Sequence, residues 1–246
     1  MYLRKGCCHL KIGGSVLSAL ENLPRVERSS LASKVYVDLR NLIMSGKLAP
    51  GDRLSLREIA QALQVSVMPV RDAVNRLVTE QALIASPNRG FYLPRMTSSE
   101  FREFIIVRTE IEGFCAEQAA LRRSDDDIAS IAAAESAYRA YCRSPQPCYV
   151  EAAALNMEFH FALYRAAHLS RLYGIIESLW LRAGPLIILE TRSNPERLAT
   201  GGSYSRHLEA LTAVKAGDGS GARAAIAGDI QTAAAFILQG DSLQPE

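Results

Sequence analysis

The chain is 246 residues long, 48% apolar and 22% charged, which is enough apolar content for one large or two ordinary packed domains and excludes wholesale disorder. Its net charge of +2 conceals an uneven distribution: residues 1–96 hold 14 Lys/Arg against 7 Asp/Glu, or +7, and residues 97–246 hold 14 against 19, or −5, the footprint of a nucleic-acid-binding module joined to an acidic partner. No uninterrupted run of about 18 apolar residues occurs, so no membrane span is expected, and five cysteines without paired spacing argue against a disulfide framework and for a reducing, cytoplasmic setting.

Residues 1–30 carry no strong periodicity and read as an N-terminal arm. Cys7, Cys8 and His9 lack the second set of ligands that a metal cluster would need, and Gly13, Gly14, Glu21 and Asn22 interrupt a stretch that could otherwise pass for a signal peptide. From Leu31 the apolar positions Val35, Leu39, Leu42 and Ile43 predict a helix that ends at Gly46. Ser55 and Glu58 have the spacing of a capping box, so a second helix should start there, with Ile59, Ala60 and Leu63 as its buried stripe.

Gln64 and Val65 break that pattern. Ser66 is placed to cap a third helix, whose first turn tolerates Pro69 because those N–H groups have no intrahelical partner. Val70, Ala73, Val74 and Leu77 then face inward and leave Met68, Arg71, Asp72 and Asn75 outward. The pair reads as a helix-turn-helix whose second helix shows a polar, arginine-bearing tip. Strand-like pieces at 83–85 and 91–93, around Pro87, Asn88, Arg89 and Gly90, predict a hairpin tipped with positive charge, which completes a winged helix-turn-helix over residues 31–96.

The run LRNLIMSGKLAPGDRLSLREIAQALQVSVMPVRDAVNRLVTEQALI resembles the DNA-binding domain of GntR-family bacterial transcription regulators, including the turn at Gly46, Leu48, Pro50 and Gly51. The resemblance implies DNA-contacting roles for Arg57, Ser66, Met68 and Arg71, and for Arg89 and Gly90 in the wing. The chain departs from the pattern at Val67, where many relatives have arginine, and at Met68, where many have threonine. A guanine contact of the bidentate arginine kind is thereby missing at position 67.

Residues 97–240 are alanine-rich and helical in character, with Thr97 or Ser98 capping the first helix. Helices are expected near 98–122, 125–142, 147–168, 169–191, 203–216 and 219–239, with Pro185 kinking or splitting the fourth. The fold class is therefore mainly α, a winged helix-turn-helix followed by an all-α antiparallel helical bundle. The opening VRTEIEGFCAEQAA resembles the FCD effector domain of the FadR-like branch of the same family, which implies a unit that senses a small molecule and pairs with a second copy.

Asn156 and His160 stand at i and i+4, hence on one helix face, with His207 and Asp229 on later helices. Imidazole suits zinc, nickel, copper or iron, and a carboxylate and an amide oxygen can complete such a shell. By resemblance these four positions match an Asp-His-His-His metal site, with Asn156 in place of the aspartate and Asp229 in place of the third histidine, so one divalent ion such as zinc or nickel is the expected cofactor. Arg108 occupies the family's arginine position in the first bundle helix. A guanidinium can grip the carboxylate of an acidic effector or pair with Glu112 one turn on. Tyr164, Arg165, Trp180 and Arg192 are further candidates for the same cavity, and His168 for a helix C-terminal cap.

The reading that follows is a cytoplasmic, homodimeric transcription regulator, a repressor of catabolic or transport genes, which binds double-stranded operator DNA and responds to a small carboxylate. A metal-dependent hydrolase built on His160, His207 and Asp229 is the alternative, although the sequence has no H-E-x-x-H arrangement to support it.

Overall fold

A computed structural model of the chain describes residues 30–86, 90–144, 147–193, 202–240 and 242–245. The N-terminal arm with Cys7, Cys8 and His9, and the wing tip with Arg89, lie outside the described residues.

Helix α1 (Ser30–Met44) turns Val35, Tyr36, Leu39 and Ile43 into the core of the N-terminal head. Gly46 and Gly51, both at positive φ (+63° and +93°), carry the chain through the tight turn that follows. Strand β1 (Arg53–Leu54), helix α2 (Leu56–Ala62), helix α3 (Val67–Thr79), strand β2 (Ile84–Ser86) and strand β3 (Gly90–Tyr92) come next. The three strands form an antiparallel sheet in the order β1-β3-β2, with Arg53 opposite Tyr92 and Ala85 opposite Phe91. The hairpin pair lies within a residue of its expected place, whereas β1 was not foreseen, because two residues are too few to show an alternating pattern.

Ser55 caps α2, its hydroxyl accepting from the Glu58 N–H at 3.4 Å. Among the described residues the return bond of the expected capping box is not made. Gln64, at φ 54°, makes the turn between α2 and α3. Val70, Ala73, Val74 and Leu77 are buried, as their spacing requires.

The rest of the chain is helical: α4 (Ser98–Arg122), α5 (Asp125–Cys142), α6 (Tyr149–Arg165), α7 (Ser170–Ser193), α8 (Gly202–Ala216) and α9 (Gly219–Gln239). Reciprocal capping boxes start α4 at Thr97 with Glu100 and α5 at Ser124 with Asp127. Helix α4 packs along α9, which in turn packs on α8, while α6 and α7 close the other side. Of the kink or split expected at Pro185, the split does not occur, since α7 runs continuously through it. Tertiary packing on both flanks of that residue outweighs the hydrogen bond that proline removes.

The stretch Ser170–Arg192 is long and apolar enough to cross a bilayer by length and composition, which the expectation of no membrane span had not allowed for. Its apolar residues Ile176, Trp180, Leu181 and Leu186 are instead buried in the bundle, and Glu177, Arg182 and Glu190 are spread along it. It is built as a core helix.

The outer face of α7 carries the head. Gly184 lets the Met44 carbonyl approach so closely that an added Cβ would lie 2.5 Å from its oxygen, and Gly46 is seated against the Ile188 side chain. Arg40 and Glu177 close the contact with an ion pair at 3.0 Å. Thus the head meets α7 on both sides of Pro185, at Gly184 and at Ile188.

Candidate functional site

Two groups of predicted residues end up in different physical settings. On the head, Arg57 of α2 and Met68 and Arg71 of α3 are exposed, Met68 at 59%. Ser66 is the N-cap of α3, yet its side chain makes no capping hydrogen bond, so its hydroxyl remains available at the exposed end of the helix. Gly90, at φ +93°, starts β3 beside the wing. These residues share the outward side of the helix pair because the apolar positions of α3 are anchored on the other.

Within the bundle, side chains far apart in sequence converge on one small cavity lined in part by Arg108, Tyr138, Asn156, His160, Trp180, Glu190 and Asp229. Its volume is about 40 Å³, room for an ion with a few waters or for one small polar molecule. His160 Nε2 lies 3.2 Å and His207 Nε2 3.9 Å from Asp229 Oδ2. One donor atom from each of the three residues falls within 4.8 Å of the others. His207 is fully buried, stacked on Phe159 with ring centroids 3.9 Å apart, and neither ring nitrogen has a hydrogen-bond partner among the described residues.

Burial, opposed by Asp229 and aided by His160, lowers the pKa of His207 to about 3, so the ring is a neutral donor of a lone pair. A buried imidazole with two unsatisfied nitrogens is costly to keep unless something binds there. Two imidazoles and a carboxylate at this separation make a donor set that suits a divalent transition metal or zinc.

Arg108 is itself buried, and its fork is engaged by Glu112: Nε donates to Oε1 at 2.6 Å and Nη2 to Oε2 at 3.2 Å. Burial works against the charged guanidinium, but Glu112 prevails and holds the Arg108 pKa above its ordinary value. Tyr164 OH and Trp180 Nε1 also donate to Glu112 Oε2, at 2.6 and 2.9 Å. Of the two partners open to Arg108 in the sequence, the internal one therefore holds two of its nitrogens, while the residue still lines the cavity.

Of the other candidates, Trp180 lines the cavity and Tyr164 is buried behind it, hydrogen-bonded to His160 Nδ1 at 3.0 Å. Arg165 turns outward to Glu158, and Arg192 lies over the Tyr149 ring. His168 follows α6 at φ 52° and bonds Asp127 Oδ2 at 2.8 Å across to the start of α5. Sequence reasoning did not find Tyr138, Phe159 or Glu190. An aromatic residue or a glutamate on a bundle helix carries no local sign of whether it faces a cavity.

The FCD domain profile matches residues 103–232 and that of the bacterial regulatory proteins, gntR family, matches residues 31–93. The chain is 29% identical over 221 residues to the HTH-type transcriptional regulator McbR of Escherichia coli K12, covering 87% of this chain and 96% of that protein. The solved structure of E. coli McbR/YncC superposes with a TM-score of 0.78 at 28% identity, covering 86% of this chain and 99% of that one. A GntR transcriptional regulator from Rhodococcus sp. RHA1 shares the fold, with a TM-score of 0.68 at 24% identity over 86% of this chain and 99% of that one. The HTH-type transcriptional repressor RspR of E. coli K12 is 32% identical over 87 residues, which span 35% of this chain and 38% of that protein.

Proposed function

Because the chain belongs to the gntR family of bacterial transcriptional regulators and carries an FCD domain, and is on that ground a regulator and not an enzyme, we propose that it is a cytoplasmic homodimeric repressor that leaves its operator when a small organic acid binds. Residues 31–96 act as the reading head and residues 97–240 as the sensing and pairing unit. The observation that carries this reading is the joint between them: α7 lines the ligand cavity with Trp180 and Glu190 and carries α1 of the head at Gly184 and Ile188. A ligand that shifts α7 moves the head with it. The hydrolase alternative has no comparable support.

In this reading Arg71 and Met68 enter the major groove, Ser66 and Arg57 hold phosphates, and the wing at Arg89 and Gly90 meets the adjacent backbone. Val107, Phe114 and Leu121 stand seven residues apart on the outward face of α4, at 42%, 41% and 56% exposure. That apolar stripe suits a face that meets a second copy. His160, His207 and Asp229, with Asn156 alongside in the cavity, would hold a divalent ion such as zinc or nickel. When bound, the ion supplies positive charge for recognising a carboxylate. Arg108 adds Nη1, its one guanidinium nitrogen not engaged by Glu112 among the described residues. The small volume favours a compact acid over a long-chain one.

Fluorescence anisotropy with DNA from upstream of the chain's own gene and its neighbours tests the reading. Sequence-specific, salt-sensitive binding that weakens on adding small carboxylates is expected. Affinity unchanged in Arg71→Ala at moderate salt would overturn the assignment of the head.

A further inference from the structure

We propose that Glu112 and Tyr164 are positioning residues that hold His160 as the tautomer protonated on Nδ1, so that its Nε2 lone pair is presented to the cavity beside Asp229. The argument runs outward from Glu112. This carboxylate is clamped by an always-charged guanidinium through two bonds, and it accepts from the Trp180 indole, a group that can only donate. Its Oε2 therefore carries no proton. The Tyr164 hydroxyl, 2.6 Å from that oxygen, must point its hydrogen at it, because two lone pairs at such a distance would repel.

With its hydrogen used, Tyr164 has only acceptor capacity left. His160 Nδ1, 3.0 Å away, can bond to it only as a donor. In its neutral form the ring has one N–H, and Nε2 then keeps its lone pair, 3.2 Å from Asp229 Oδ2 and facing the neutral His207 ring. A lone pair and a carboxylate oxygen at that separation are two donors that one cation can share. Tyr164 is thus more than a filler of apolar space, and the Arg108–Glu112 pair fixes the orientation of a side chain it does not touch.

This chain of bonds spans α4, α6 and α7. Its consequence for metal affinity rests on the reading of His160, His207 and Asp229 as cation ligands, whereas the tautomer itself does not. Outer residues that orient a ligating histidine in this way change metal affinity about 10- to 100-fold when removed.

The test uses the full-length, chelator-treated protein with 15N-labelled histidine. Long-range 1H–15N NMR at alkaline pH should find the single His160 ring proton on Nδ1. In Tyr164→Phe the proton should move to Nε2, where Asp229 accepts it. Zn2+ affinity, read by competition with a chromophoric chelator, should fall about 10- to 100-fold, while far-UV circular dichroism stays unchanged. A proton on Nε2 in the wild-type ring overturns the proposal. So does a Tyr164→Phe protein that retains both the wild-type tautomer and the wild-type Zn2+ affinity. The wild-type measurement needs no variant, so a substitution that failed to fold would leave the question decidable. Wild-type protein with the Nδ1–H tautomer but no Zn2+ uptake would sink the metal reading of the site and leave the positioning chain standing.

Discussion

The head and the bundle place their charged groups in opposite ways. The head keeps Arg57 and Arg71 in solvent around an apolar interior of Val35, Leu39, Ile43, Val70, Val74 and Leu77. The bundle draws Arg108, Glu112, Glu135, His160, Glu190, His207 and Asp229 inside, none more than 7% exposed. A surface that reads a polyanion needs its cations hydrated and reachable until DNA replaces the water. A sensor gains from polar groups held in low dielectric, where one added or removed charge is felt strongly. Stability in the head should therefore be insensitive to its functional residues, whereas in the bundle stability and function share the same side chains.

The comparison is most severely tested at Glu112. Glu112→Ala strands a buried guanidinium and should cost about 3–5 kcal/mol in urea or thermal unfolding; a loss under about 1 kcal/mol would mean that the buried network is not coupled to the fold. Next comes the joint. Gly184→Ala forces a methyl group toward the Met44 carbonyl and should cost about 1–3 kcal/mol, with release of DNA by ligand blunted more than DNA binding itself. Wild-type release in that variant would break the link assigned to α7.

Arg71→Ala should weaken specific DNA binding by about 1–3 kcal/mol, about fivefold to more than a hundredfold, while the melting curve stays within about 0.5 kcal/mol of wild type. The exposed Arg76–Glu80 pair at 3.2 Å gives the smallest effect. Arg76→Ala, which also removes the contact over the Tyr36 ring, should cost about 1 kcal/mol or less.

Acid should separate the two regions as well. His207 titrates near 3 in the folded chain and near its ordinary value of about 6.5 when unfolded. Between those values the unfolded state binds the extra proton, so this residue makes stability fall as pH drops below about 6.5. In metal-free protein, His207→Phe should flatten that slope, as followed by the pH dependence of thermal unfolding.

Much of the fold could be read from spacing. Helices α4, α5 and α9 were expected at 98–122, 125–142 and 219–239 and span Ser98–Arg122, Asp125–Cys142 and Gly219–Gln239. Thr97, Ser124 and Asp218 cap them through bonds made within three residues, and such local bonds leave their mark on local sequence. Whether Pro185 splits α7 depends on packing against α1 and the bundle rather than on its neighbours in the chain, and the helix runs through it.

The same division holds for function. Periodicity alone determined that α3 buries Val70, Ala73, Val74 and Leu77 and turns Arg71 to solvent, since one helix sets its own inner and outer faces. Only the tertiary structure decided that Arg108 is tied to Glu112, that Tyr164 stands between Glu112 and His160, and that His207 meets Asp229. Arg108 and Glu112 stand one turn apart on α4, a pairing that spacing permits but does not choose. The bonds that Glu112 makes to other helices reach up to 68 residues along the chain, as in the Trp180 bond to Glu112, and nothing in a local pattern specifies which polar side chains will be brought together when distant apolar faces close on one another.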